Sequence, residues 1–194
     1  SSEKIKSPIG RFRNIFYILE LNANANETTS LTLKKNSTIT INSDKTGAVC
    51  FFNYVPGSNL RFTNEGTIKI ATTASESVGI DYGFYFSAAP NSSVKIGKII
   101  INGNKSYGYR QNDYSTFSNN AYYDKMSTVN GSNGVITVNG NNNVGMAIFQ
   151  GKTSGDPISN FQNINITVNG SNNVGFLRGT SGDPNTNEIT LDST

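Results

Sequence analysis

Histidine and tryptophan are absent from this chain of 194 residues, and Cys50 is its one cysteine. Without histidine the chain cannot form the Ser-His-Asp or Cys-His arrangements of nucleophilic hydrolases, and it lacks the usual zinc ligands. A single cysteine excludes an internal disulfide. When Gly47 is taken as the equivalent of Gly145 in the repeat described below, Cys50 aligns with Ile148. We therefore expect a small buried hydrophobic residue there and not a reactive thiol.

Charged residues and long apolar runs are also scarce. Charged residues form 15% of the chain, against about a quarter in average soluble proteins. No apolar run approaches the roughly 18 residues of a membrane-spanning helix, so we expect no membrane insertion by this segment. The net charge is only +3. Because the lysines and arginines are scattered outside the first residues, the sequence predicts no nucleic-acid partner.

The residues that are plentiful favour strands and turns. Asn is the commonest residue, followed by Ser, Thr, Ile and Gly. Thr and Ile suit strands, whereas Asn and Gly supply turns, including left-handed backbone conformations that other residues resist. The composition therefore predicts many short strands and little helix.

A repeat of about 30 residues organises these elements. Residues 136–145 read ITVNGNNNVG, and residues 166–175 return as ITVNGSNNVG. Weaker copies begin at positions 39, 68 and 99, which gives steps of 29, 31, 37 and 30 residues along the chain. Residues 189–191 begin one more copy just before the last residue. We therefore expect a piece of a longer protein; the alternative is that another subunit covers this end.

Each period of roughly 30 residues contains about three short strand-like pieces, which is typical of a parallel β-helix, or solenoid. The predicted fold class is therefore all-β. Residues 31–194 are assigned to its coils. Residues 1–30 are an irregular or first-coil lead-in, with a strand favoured over 14–21 and a helix from Ser7 as the alternative.

Alternation along the strands predicts which side chains stack inside the coils. The expected inward rows are aliphatic and run through Ile39/Ile41, Ile68/Ile70, Ile99/Ile101, Ile136/Val138 and Ile166/Val168. The turn asparagines Asn42, Asn102, Asn139 and Asn169 should also lie above one another. Their amides can then hydrogen-bond along a ladder.

Catalysis on such a fold needs carboxylates clustered on one outward row, for calcium binding or for acid and base chemistry. The acidic residues of this chain do not align in that way. Asp156 and Asp183 do recur, each within Ser-Gly-Asp-Pro, and a turn is favoured there over a calcium site. We expect no enzyme activity, no metal and no cofactor.

The connection over residues 111–126 is the best candidate for ligand binding, because it lengthens its period to 37 residues. Insertions in solenoids map to loops, and tyrosine and arginine anchor many interfaces. The candidate residues are Arg110, Tyr114, Phe117, Tyr122, Tyr123 and Lys125, with Tyr107 and Tyr109 just before them. The alternative is a loop that folds its aromatic side chains back over the coil. Residues 82–86 are a weaker candidate of the same kind.

The units at 136–146 and 168–176 resemble coils in passenger domains of type V autotransporters, above all the large fusobacterial outer-membrane adhesins. The resemblance covers about residues 31–194. It implies a secreted, monomeric passenger displayed at the cell surface of an outer membrane, which binds a host or bacterial surface protein or glycan. It supplies no catalytic residues.

The leading hypothesis is therefore an adhesin segment, in which the coils form a rigid scaffold and protruding loops bind the ligand. Two alternatives stay open. One is a polysaccharide-binding or polysaccharide-degrading protein of the tailspike or lyase type, and the other is a spacer without a ligand.

Overall fold

The computed structural model describes residues 4–6, 15–53, 58–84, 92–113, 129–150, 160–180 and 188–190. These residues form strands and turns, with no helix among them. The strands in chain order are β1 (Lys4–Lys6), β2 (Phe16–Leu21), β3 (Thr28–Leu33), β4 (Thr38–Ile41), β5 (Thr46–Asn53), β6 (Asn59–Asn64), β7 (Thr67–Ile70), β8 (Val78–Phe84), β9 (Ser93–Ile101), β10 (Tyr107–Asp113), β11 (Asn130–Val138), β12 (Val144–Gln150), β13 (Asn160–Val168), β14 (Val174–Thr180) and β15 (Glu188–Thr190).

Two parallel sheets face each other and form a β-solenoid, as the repeat predicts. Sheet 1 has the order β14-β12-β10-β8-β5-β2. Sheet 2 has the order β13-β11-β9-β6-β3, and β7 also pairs with β9 while β4 pairs with β7. Each turn of the chain adds a strand to sheet 1 and then crosses to sheet 2. The strand favoured over 14–21 is present as β2, and it pairs with β5 in sheet 1.

The aliphatic rows of sheet 2 are confirmed residue by residue. The first row consists of successive partners in register, namely Ile39, Ile68, Ile99, Ile136 and Ile166. The residues of the second row, Ile41, Ile70, Ile101, Val138 and Val168, are paired in the same way. The inner members of both rows are at most 1% exposed, whereas Val168 in the last turn is 43% exposed. The inner rungs are thus covered on both sides, and at the last turn, where no further strand follows in the row, Val168 is left partly exposed.

The third strand piece of each turn is not always separate. In the first two turns a short bend divides β3 from β4 and β6 from β7, whereas β9, β11 and β13 run continuously. Each of these long strands contains a residue with positive φ, namely Gly97, Asn133 and Asn163. Glycine and asparagine tolerate this conformation best. One such residue turns the strand without ending its pairing.

The asparagine ladder is confirmed for three of its four predicted members. The side-chain amide of Asn139 donates to Asn102 Oδ1 at 2.8 Å, and that of Asn169 donates to Asn139 Oδ1 at 2.9 Å. Asn42 does not continue the ladder, because the equivalent residue of the next turn is Ala71. The equivalence follows from the backbone: Ala71 N donates to Ile41 O in the same way that Asn102 N donates to Ile70 O. Alanine has no amide to pass the ladder on.

Two other predictions about the repeat are wrong. Gly47 pairs in register with Val78, and Val78 belongs to the same row as Tyr107 and Val144. The residue after each of these is the next row, so Ala48 and not Gly47 is the equivalent of Gly145. Cys50 consequently shares a row with Ala147, although it is buried as expected. Near the end, Ile189 does not stack as a further coil. It pairs antiparallel with Ile5, so β15 and β1 form a separate two-stranded sheet.

A row of glycines brings the beginnings of the sheet 1 strands close together. A Cβ on Gly108 would lie 2.5 Å from the carbonyl oxygen of Gly145, and one on Gly145 would lie 2.7 Å from that of Gly175. Both distances are well inside van der Waals contact. Gly175 is in the last of these turns, and a Cβ there would meet its nearest atom, Val168 Cγ2, at 3.2 Å.

This difference predicts unequal effects of two chemically identical substitutions. Gly145→Ala should lower the free energy of unfolding by about 2–3 kcal/mol, because backbone must move to admit the methyl group. Gly175→Ala should cost less than about 1 kcal/mol, since only a side chain must adjust. Urea unfolding followed by circular dichroism measures both, and equal losses would contradict the packing described here.

Candidate functional site: the long-connection edge

The two edges of the solenoid differ in the length of their connections. Chain segments that leave sheet 2 return to sheet 1 through short turns, over 42–45, 71–77, 102–106, 139–143 and 169–173. Segments that leave sheet 1 and enter sheet 2 after β5, β8, β10 and β12, the strands in the middle of the stack, span 54–58, 85–92, 114–129 and 151–159. Because all strands of the stack are parallel, the second set begins and ends at one edge, the long-connection edge. The short-turn edge lies opposite.

Side chains at the short-turn edge are used to hold the turns together. Ser77 N donates to Ser106 Oγ at 3.1 Å, Ser106 N to Asn143 Oδ1 at 2.9 Å, and Asn143 N to Asn173 Oδ1 at 2.8 Å. Ser77, Ser106 and Asn143 are fully buried. This row satisfies backbone donors that would otherwise be unpaired inside the protein. Its polar atoms are therefore not available to a ligand.

Aromatic side chains fill the interior near the long-connection edge. The ring of Phe51 lies 5.1 Å from that of Phe62 and 5.2 Å from that of Tyr82, and Tyr109 meets Phe161 edge to face at 5.5 Å. The Tyr82 hydroxyl donates to Leu60 O at 3.0 Å. The Tyr109 hydroxyl donates to Gln111 Oε1 at 2.8 Å. These contacts bury large apolar rings while satisfying both phenols.

The structure corrects the expectation that several of these tyrosines face a ligand. Tyr82, Tyr107 and Tyr109 are fully buried, so they belong to the packing of the protein. Burial raises the pKa of the Tyr82 and Tyr109 phenols, because the phenolate loses its hydration. Tyr109 packs in the interior of the solenoid, whereas Tyr107 packs on the outer side of sheet 1 with Val78, Val144 and Ala147, next to Arg110. The sequence analysis placed both tyrosines just before the candidate loop and did not predict that they are buried.

Arg110 is also corrected. It lies on the outer side of sheet 1, yet it is 2% exposed and forms a bidentate ion pair with Asp81, its partner in register on β8. Arg110 Nε lies 3.1 Å from Asp81 Oδ1, and its Nη2 lies 2.6 Å from Oδ2. The guanidinium also lies 5.5 Å from the centre of the Tyr107 ring. It therefore serves the fold and does not project toward a ligand.

The same carboxylate accepts a hydrogen bond from the Tyr17 hydroxyl of β2. The Tyr17 ring reaches it by passing over Gly47, where a Cβ would lie 2.4 Å from the ring. Desolvation and the nearby Asp81 carboxylate raise the pKa of Tyr17. The same two causes raise the pKa of the Cys50 thiol, which keeps that sulfur in its unreactive protonated form. Sequence analysis missed this cluster, although an acid and an arginine at one repeat position were a usable signal.

The other predicted binding residues lie outside the described residues. These are Tyr114, Phe117, Tyr122, Tyr123 and Lys125, and the recurring Asp156 and Asp183 lie outside them as well. The structure does place the two ends of their connection, because Asp113 ends β10 and Asn130 begins β11 at the long-connection edge. Of the candidate set, Arg110 alone has a described position.

A scan against protein-family models, a search of curated proteins and a search of solved structures each return no match. Among the described residues, no three or more Cys, Asp or Glu side chains are grouped so that they could hold a metal ion. The same part of the chain contains no helix long and apolar enough to cross a bilayer. Function must therefore be argued from the geometry and chemistry of this chain.

The buried ion pair gives a first prediction for this region. Arg110→Met should lower the free energy of unfolding by about 3–5 kcal/mol, because it leaves the Asp81 carboxylate buried without its cation. The double variant Asp81→Asn/Arg110→Met should recover part of this loss, since no unpaired charge remains. Lys69→Met, at an exposed strand position, is the control and should cost less than about 0.5 kcal/mol. Urea unfolding that leaves Arg110→Met at wild-type stability would refute the structural role.

The buried tyrosines predict loss of stability in alkali. In the unfolded chain a phenol ionises near its ordinary pKa of about 10, whereas the folded pKa values of Tyr17, Tyr82 and Tyr109 are higher. The free energy of unfolding should therefore be insensitive to these groups below pH about 10 and fall as pH rises above it.

The part of the tyrosinate absorbance that comes from Tyr17, Tyr82 and Tyr109 should accordingly appear together with the loss of the circular dichroism signal, in one cooperative step. Tyr82→Phe should make the decline in unfolding free energy shallower by about 1.4 kcal/mol per pH unit, the effect of one proton. Ionisation of all nine tyrosines with the sheet signal unchanged would show that these three phenols are not protected.

Proposed function

We propose that this chain is a segment of a surface-displayed adhesin passenger. The solenoid is the scaffold, and the connections at the long-connection edge bind ligands on host cells or on other bacteria. The observation that supports this best is the asymmetry of the two edges. One is closed by hydrogen-bonded turns of four to seven residues, and the other has the three connections of eight residues or more between paired strands of the stack, over 85–92, 114–129 and 151–159.

The scaffold has the properties that display requires. Backbone hydrogen bonds join each strand to its neighbours, and sheets 1 and 2 share one buried interior. Adjacent strands in such a stack are about 4.8 Å apart, so connections that leave it are held at fixed intervals. Binding and catalytic residues are concentrated on loops that a rigid framework positions. The solenoid is such a framework.

The connection after β10 is the leading binding element. It spans residues 114–129 and is the longest of those in the middle of the stack. It contains Tyr114, Tyr122 and Tyr123, together with Phe117 and Lys125. Tyrosine combines a large apolar ring with a polar tip and is enriched where proteins contact their partners. The ligand is a protein or a glycan of a cell surface, and the passenger acts as a monomer.

Replacing Tyr114, Tyr122 and Tyr123 together by Ala should reduce binding of the whole chain to a responsive cell type at least about tenfold, since each such anchor contributes about 1 kcal/mol or more. Flow cytometry with labelled protein measures this, and circular dichroism checks that the fold is kept. A matched control replaces Ser43, Thr72 and Ser171, exposed residues of the short-turn edge, by Ala. It should bind as the wild type does.

The outcomes separate the open alternatives. Unchanged binding by the triple tyrosine variant would refute the assignment of this connection, and equal loss in the control would mean that the whole surface is involved. Absence of binding to every cell type tested would favour a ligand-free spacer. Release of oligosaccharides from a panel of glycans would favour a polysaccharide-degrading enzyme.

A further inference from the structure

The outer side of sheet 2 is a basic surface. The strands of this sheet contain no aspartate or glutamate, and their four charged residues, Arg61, Lys69, Lys95 and Lys98, all alternate with buried inward residues and therefore point outward. Arg61, Lys69 and Lys98 are exposed, and Lys95 is half-buried. These residues are scattered in the sequence, and only the parallel pairing brings them to one face.

The register fixes the spacing of these cations. Thr63 pairs with Lys95, and Thr67 pairs with Lys98. Arg61 and Lys69 each lie two residues along the neighbouring strand from those partners. With strands about 4.8 Å apart and a rise of about 3.3 Å per residue, each pair of cations is separated by about 8 Å between Cα atoms. The surface is thus a rigid array and not a flexible basic tail.

Residues at the bends of sheet 2 add to the positive charge. Lys34 and Lys35 are exposed at the bend after β3, and Glu65 is exposed at the bend after β6. Six cations and one carboxylate give 6 − 1 = +5 on this face, against +3 for the whole chain. The ion pairs of Lys45 with Glu76 and of Arg110 with Asp81 lie elsewhere in the protein.

We propose that the outer side of sheet 2, with Lys69, Lys95 and Lys98 at its centre, binds an acidic polysaccharide. The cations would pair with its sulfates or carboxylates. The residues in register beside them are hydroxyl-bearing on at least one side: Thr40 beside Lys69, Thr63 and Ser132 beside Lys95, and Thr67 beside Lys98. These can donate to and accept from sugar hydroxyls.

A polysaccharide fits this surface better than a nucleic acid does. Proteins that bind single strands offer aromatic side chains on which bases stack. The outward positions of β4, β6, β7, β9 and β11 contain none, and the one aromatic residue of these strands, Phe62, is buried in the core. The surface is also distinct from the long-connection edge, so it adds a second ligand contact to the function proposed above.

The test compares two variants that remove the same charge from different places. Lys69→Gln/Lys98→Gln takes two cations from the centre of the face. Lys45→Asn/Lys105→Asn takes two from the short-turn edge, where both lysines have positive φ that asparagine tolerates. Both variants lower the net charge from +3 to +1. Heparin and polygalacturonate are the probes, and a thymidine oligonucleotide of similar charge is the comparison.

Wild type should bind at least one polysaccharide at low salt, with affinity that falls as salt is added. Lys69→Gln/Lys98→Gln should bind roughly 30-fold more weakly, because each cation near a polyanionic surface contributes roughly a factor of five. The turn variant should stay within about twofold of wild type. Equal losses in both variants, tighter binding of the oligonucleotide, or no polysaccharide binding would each overturn the proposal. If Lys69→Gln/Lys98→Gln still binds cells as the wild type does, the adhesin assignment stands, and the outer side of sheet 2 is not part of the surface that binds cells.

Discussion

Parallel pairing in strict register is the constraint on which this structure depends. Each strand hydrogen-bonds to the equivalent strand of the turns before and after it, so equivalent residues lie one strand apart. A slip of one residue would turn every inward side chain outward. The isoleucine rows, the glycine row and the asparagine ladder are all consequences of this register, because each needs the same residue type at the same height in successive turns. Exposure of Val168 and Phe176 in the last turns shows what a rung loses when it has a neighbour on one side only.

The constraint also divides the molecule by role. Inward rows and the short-turn edge are committed to stacking, because their side chains are buried or hydrogen-bonded to the next turn. The outer side of sheet 1 shares this role, since Tyr17, Asp81 and Arg110 join three of its strands through one buried carboxylate. The exposed positions on the outer side of sheet 2 take no part in the register, so they can vary at little cost to stability. We propose that ligands bind there and at the long-connection edge.

Repeat reasoning located the inward rows because the period of the sequence and the period of the structure coincide. The same reasoning gave the wrong alignment where two neighbouring residues were equally suitable for one position of the repeat. Gly47 and Ala48 are both small, and choosing the wrong one as the equivalent of Gly145 moved Cys50 by one row. It failed again for Tyr107, Tyr109 and Arg110, where aromatic and charged residues suggested a surface. Burial of these groups depends on partners such as Asp81, which lies 29 residues away along the chain.

By itself the sequence determined the fold class, the length of the repeat and the aliphatic core, because all three follow from local alternation and from the recurrence of short motifs. Only the tertiary structure decided which polar residues are partners and which face the solvent. A strand shows its periodicity within six residues, but a charge acquires its surroundings from whatever the neighbouring turns place beside it. The ion pair of Arg110 and the basic face of sheet 2 both arise in that way, from residues about one turn apart in sequence and one strand apart in space.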